Sequence, residues 1–162
     1  MTAPRVLLLI PPLTQLNTPY PSTAYLTGFL QSQGIACEQA DLGIEMVLRL
    51  FSPDGLREVF RLVQQQQDYL PEQALSMLAD EDAYLGTIET VATFLQGKNP
   101  EAARQLVEPG FLPQGPRFNG KTKFAKSVPI EDRAKHWGTL YLEDLADLVQ
   151  ATVSPSFALS RY

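Results

Sequence analysis

At 162 residues, with 44% hydrophobic and 19% charged side chains, the chain is long enough to bury a core and too apolar to be disordered. Its net charge of -5 argues against a general nucleic-acid or anionic-membrane binder, because phosphate recognition rests on Lys and Arg. A single cysteine, Cys37, excludes an internal disulfide framework and suits a reducing compartment, and no apolar run approaches the ~20 residues that cross a bilayer.

Arg5-Val6-Leu7-Leu8-Leu9-Ile10 is a continuous apolar run stopped by Pro11-Pro12, the pattern of a strand buried on both faces. It is too short and strand-like for a signal peptide, so a cytoplasmic protein without a membrane partner is expected. A proline-punctuated loop follows, to Pro21, and prolines fix its shape at low entropic cost. Ser22 is placed to cap a helix with apolar positions Tyr25, Leu26, Phe29 and Leu30, and Gly34 to end it. Residues 35–41 read as a second strand, so the start is a βαβ unit, whose ligands bind outside the carboxyl ends of its strands. Those ends are the loop from Pro11 to Pro21 and Asp41. The loop has no glycine, which separates it from a dinucleotide-binding turn.

Helical periods then succeed one another without a strand between them. Ile44, Val47, Leu48 and Phe51 form one stripe; Ser52-Pro53 opens the next, through Leu56, Val59, Phe60 and Val63, and Gln64–Gln67 reads as its solvated end. Further helices follow Pro71, Asp82 and Asn99-Pro100, the second carrying Tyr84, Ile88, Val91 and Leu95. From Phe111 to Lys126, Pro113, Gly115, Pro116 and Gly120 mark a loop in which Arg117, Lys121, Lys123 and Lys126 alternate with Phe118 and Phe124. In an acidic chain this reads as an arm packing its aromatics on the helices; nucleic-acid stacking and an anionic cofactor tail are the alternatives. A last helix runs from Leu140 to Val153, with Glu143, Asp144 and Asp147 as its solvated face.

Catalytic chemistry is sparse. One histidine, His136, and one cysteine leave no Ser-His-Asp or Cys-His arrangement and no His/Cys zinc cluster, so no catalytic or metal-ligating residue is assigned. Asp80, Glu81 and Asp82 suit a helix N-terminus. Asp41 is the one carboxylate where a ligand is expected; the plainer reading of it is a strand-end or helix-cap residue.

Taken together, Val6 to Pro12, Pro19 to Leu26, Phe29 to Gly34 and Gln39-Ala40-Asp41-Leu42 resemble the start of the cobalamin-binding domain that opens many radical S-adenosylmethionine (radical SAM) proteins. Leu142 to Leu145 and Ser160-Arg161-Tyr162 are similar to their linker region. The resemblance implies a flavodoxin-like parallel sheet carrying cobalamin at its strand ends. Pro11, Pro12, Thr14, Pro21, Ser22, Tyr25 and Asp41 would face the cofactor. It also implies a following barrel that holds a 4Fe-4S cluster and S-adenosylmethionine. This chain lacks the three-cysteine cluster motif, so the iron–sulfur cluster and S-adenosylmethionine would belong to a longer parent protein; it also lacks an Asp-x-His-x-x-Gly axial-ligand motif, which members of the radical family often do without.

The fold class expected is therefore α/β: an incomplete flavodoxin- or Rossmann-like βαβ start, with strands near 5–10 and 35–40, before a mostly helical region. The divisions are 1–42 for the βαβ start, 43–108 for a helical insertion, 109–139 for the basic loop, and 140–162 for a helix and linker cut short. The function expected is a binding and scaffold module, the N-terminal fragment of such a radical SAM protein, without chemistry of its own. A helix-rich interaction module with an architectural βαβ start is the main alternative, and a flavin- or nucleotide-binding flavodoxin-like module a further one. Two strands leave open edges, which predicts a homodimer or strand borrowing unless helices cover them, and the resemblance implies a missing C-terminal radical SAM domain as a further partner.

Overall fold

The computed structural model of the protein describes residues 5–12, 20–66, 70–120, 123–125 and 127–159. The chain divides into two compact units, the first running to Arg49 and the second from Leu50 to Leu159. The structure is mixed α/β and mostly helical, with a two-stranded sheet at its start.

In the first unit, β1 (Arg5–Ile10) and β2 (Ala36–Asp41) pair in parallel, with Arg5 opposite Ala36 and Ile10 opposite Asp41. A parallel pair needs a crossover, which α1 (Pro21–Ser32) supplies. Pro21, with its preset φ, opens α1 after the N-cap Tyr20, which makes no side-chain cap bond. Ser22 thus lies inside the first turn and is not the cap its position suggests. Gly34 closes the helix at a φ of 74°, a left-handed conformation open to glycine at little cost, and Ile35 N–H returns to the Leu30 carbonyl at 3.0 Å. α2 (Leu42–Leu50) follows β2 without a loop, and all of it but its last residue lies in the first unit.

β1 is not buried on both faces. Val6, Leu8 and Ile10 are half-buried, whereas Leu7 is 58% and Leu9 47% exposed. The register explains the alternation. Val6 stands opposite Cys37, which is buried against α1 near Thr27, so α1 covers that face alone. Gln31 of α1 also donates to the Cys37 carbonyl at 3.1 Å. The stripe expected to pack α1 is displaced as well: Thr23, Thr27 and Leu30 are partly covered, while Tyr25, Leu26 and Phe29 are exposed.

The second unit holds α3 (Pro53–Gln64), α4 (Glu72–Ala79), α5 (Glu81–Leu95), a 3-10 turn (Pro100–Ala102) running into α6 (Ala103–Leu106), a second 3-10 turn (Pro116–Phe118) and α7 (Ile130–Thr152). Ser52 Oγ accepts the Gly55 N–H at 3.1 Å and Pro53 occupies the first turn, so α3 starts where its sequence says. Leu56, Val59, Phe60 and Val63 are all buried. In the core the Tyr84 ring lies 5.9 Å from Phe60 and 5.3 Å from Tyr141 between centroids. The Tyr141 hydroxyl donates to the Tyr84 carbonyl at 2.9 Å and lies 3.0 Å from Thr87 Oγ1. Burial raises the pKa of both tyrosines, so this polar knot stays neutral.

Two expectations for the C-terminal part are corrected. α7 begins at Ile130, ten residues before the expected start, because Pro129 ends the loop and Glu131 and Asp132 favour the helix dipole. Glu143 and Asp144 are not solvated: they are 6% and 1% exposed. The 3-10 turn at Pro116–Phe118 folds back over that face of α7 and covers them.

Candidate functional site

Because β1 and β2 run parallel and Ile10 stands opposite Asp41, both strands leave the sheet at one edge. Pro11 and Pro12 emerge there exposed, and α1 starts from the same edge at Pro21. Proline has no N–H with which to prolong the ladder, so the strand stops at Ile10. Pro21 and Ser22 are exposed in the first turn of α1, and Tyr25, one turn on, is 77% exposed. Asp41 is half-buried and its Oδ1 accepts the Ile44 N–H at 3.0 Å. It therefore caps α2. The topology brings Pro11, Pro12, Pro21, Ser22, Tyr25 and Asp41 to one end of the unit, while Thr14 lies outside the described residues.

This edge is an open surface that sets exposed proline and tyrosine beside a hydroxyl and a carboxylate. Exposed proline and tyrosine offer apolar contact, the Ser22 hydroxyl is free to donate or accept, and Asp41 can accept amide hydrogens. The chain's one histidine, His136, lies in the other unit on α7, so the first unit carries no imidazole to serve as an axial ligand. A cleft of about 180 Å³ in the first unit lies at the opposite end of the strands, lined by Arg5, Val6, Leu7, Ala36 and Glu38. It does not coincide with the predicted edge. Among the described residues no group of three or more His, Cys, Asp or Glu could hold a metal ion.

The helical unit contains a polar cluster that reading the sequence as a solvated face missed. Asp144 Oδ1 accepts the Arg117 backbone N–H at 2.9 Å, and so caps the 3-10 turn that starts at Pro116. The Arg117 side chain grips Asp147 with two hydrogen bonds, at 2.6 and 2.9 Å, and reaches Glu143 at 3.4 Å. That pairing raises the pKa of Arg117 further. Burial pushes the Asp144 carboxyl up to about 6, against the lowering effect of the Arg117 N–H. Gly115 presses against it: a Cβ there would stand 2.5 Å from Asp144 Cγ, so a side chain has no room. Pro-Arg in a glycine-flanked turn and Asp four residues before a leucine gave no signal that the two segments would meet.

The arm packs its aromatics as expected. Phe118 is buried edge-on against Trp137, with centroids 6.1 Å apart, and Phe124 meets His136 edge-on at 5.3 Å. Lys121 and Lys126 lie outside the described residues, as do Gln67 and Ser160-Arg161-Tyr162. No helix among the described residues is long and apolar enough to cross a membrane. Comparison with protein-family models, curated proteins and solved structures finds no match for this chain.

Proposed function

We propose that the chain is the leading part of a cobalamin-binding radical SAM protein, a binding and scaffold module without chemistry of its own. The observation that carries this reading is the parallel β1–α1–β2 unit, whose one edge collects Pro11, Pro12, Pro21, Ser22, Tyr25 and Asp41. Parallel units of this kind bind ligands at that edge. In this reading Tyr25 and the prolines give the cofactor a surface, Ser22 and Asp41 meet its amides, and Thr14 adds a hydroxyl. The bound cobalamin would supply the cobalt centre. The chain's single cysteine leaves the iron–sulfur cluster and S-adenosylmethionine to a radical SAM domain. The uncovered side of β1, with Leu7 and Leu9, gives such a domain or a second copy of the chain an apolar face to cover.

The test adds hydroxocobalamin to the chain and to the longer gene product and follows the visible spectrum through a desalting column. Stoichiometric retention, weakened by Tyr25→Ala, is the expected result. If neither protein retains the cofactor, the cobalamin reading is wrong. The reading of a helix-rich interaction module is then the one to test.

A further inference from the structure

The chain has three asparagines, and the residue after each decides what the asparagine side chain can do to its own backbone. The side-chain amide is lost when the next residue's backbone nitrogen attacks Cγ, so that nitrogen needs a hydrogen to give up and room to approach. Asn99 precedes Pro100, whose nitrogen carries no hydrogen. Asn17 precedes Thr18, whose β-branched side chain crowds the approach. Asn119 precedes Gly120, which has no side chain and the widest backbone freedom.

The fold sharpens this contrast. Asn119 ends the 3-10 turn Pro116–Phe118 with φ -54° and ψ 111°, and Gly120 follows at a φ of 73°. These dihedrals match the two central residues of a type II turn, whose second central position favours glycine. Both residues are exposed, and the space where a Cβ of Gly120 would stand is open. Among the described residues neither the Asn119 side chain nor the Gly120 N–H makes a hydrogen bond, so none has to break before the two groups meet. Asp54-Gly55 is the opposite case. An aspartate before glycine closes the same ring with loss of water, but the Gly55 N–H is held by Ser52 Oγ at 3.1 Å in the first turn of α3. The bond that caps the helix also keeps that nitrogen from attacking.

We propose that Asn119-Gly120 is a site of spontaneous deamidation and backbone isomerisation. The Gly120 nitrogen gives its proton to solvent base and bonds to Asn119 Cγ. The Cγ–Nδ2 bond breaks and the side-chain nitrogen leaves as ammonia, which closes a five-membered succinimide. Water then adds to one ring carbonyl and breaks its bond to the Gly120 nitrogen; no group is oxidised or reduced. Addition at Cγ gives aspartate, and addition at the backbone carbonyl carbon gives isoaspartate, with the main chain routed through Cβ and Cγ. Either product adds a negative charge to an already acidic chain, two residues beyond Arg117 and beside Lys121, Lys123 and Lys126. Isoaspartate also lengthens the backbone directly after Phe118, the ring buried edge-on against Trp137. The site lies wholly in the helical unit, so its failure would leave the cobalamin reading untouched.

The test holds the full chain warm at mildly alkaline pH, folded and in denaturing guanidinium chloride. Samples are digested at mildly acidic pH, and electron-transfer fragmentation of the peptides separates isoaspartate from aspartate. In the folded chain Asn119 is expected to convert at least tenfold faster than Asn17 or Asn99. It should give more isoaspartate than aspartate, at a rate within tenfold of that in the denaturant. Isoaspartate at Asp54 is expected to form in the denaturant and at least tenfold more slowly in the folded chain. Conversion of Asn17 or Asn99 as fast as that of Asn119, aspartate without isoaspartate, or an Asn119 rate more than tenfold below that in the denaturant would each overturn the proposal. Isomerisation of Asp54 as fast folded as unfolded would overturn it too, because a hydrogen bond on the glycine nitrogen would then decide nothing.

Discussion

Asp144 shows how one residue acquires its character from what covers it. It is 1% exposed, Oδ1 takes the Arg117 N–H at 2.9 Å, and Oδ2 has no hydrogen-bond partner among the described residues. Its carboxyl is raised from 3.8 to about 6, with burial the largest cause. The sign of the consequence is fixed by linkage. Between those two values the native state holds a proton that the unfolded chain has released, so Asp144 favours folding below pH 4 and loses that contribution as pH rises through about 6. Asp144→Asn keeps an oxygen for the Arg117 N–H but does not titrate. The melting temperature of the unaltered chain minus that of Asp144→Asn should be greatest near pH 4 and decline as pH passes through about 6. A difference that grows with pH instead would mean that the carboxylate is held ionised by Arg117.

At the scale of elements, the helices with a polar start and a one-sided stripe are legible in the amino-acid sequence alone. Ser52-Pro53 and the four apolar positions of α3 fix both its start and its buried face, because a side-chain cap and a 3.6-residue period are local signals. The parallel pairing is legible for the same reason: Pro11-Pro12 and Gly34 punctuate β1, α1 and β2. Burial of Glu143 and Asp144 is not, since it depends on a turn 26 or more residues away folding onto α7. The exposure of Leu7 and Leu9 is not either, because a continuous apolar run does not state how many layers will cover it. Two serines that look alike in sequence separate these cases. Ser52→Ala removes an acceptor from the Gly55 N–H and is expected to cost about 0.5–2 kcal/mol. Ser22→Ala removes no cap bond and is expected to stay within about 0.5 kcal/mol. Denaturant unfolding of both variants checks the contrast, and equal losses would mean that Ser22 has a role in the first unit beyond its position in α1.

For the whole molecule, the two units differ in how completely they bury their apolar surface. The helical unit encloses Phe60, Val63, Ile88, Val91, Leu106, Leu140, Tyr141 and Leu145 at no more than trace exposure. The first unit leaves Leu7 and Leu9 open on one side of a two-stranded sheet and Tyr25, Leu26 and Phe29 open on α1. A two-stranded sheet also has unpaired N–H and C=O groups along both strands, and such edges recruit further strands. Apolar area contributes roughly 25 cal/mol per Å² when it leaves water, so covering this face favours association of copies or docking of a further domain. The chain by itself is therefore expected to gain mass with concentration in size-exclusion chromatography with light scattering. Leu7→Lys combined with Leu9→Lys places two ammonium groups on the uncovered side while leaving Val6, Leu8 and Ile10 against α1. That variant should remain monomeric at concentrations where the unaltered chain associates, with the same helical circular dichroism. If the unaltered chain is a monomer at high concentration, or if the lysine variant associates equally, the sheet face is not the surface that joins copies, and the open side of α1 becomes the one to alter.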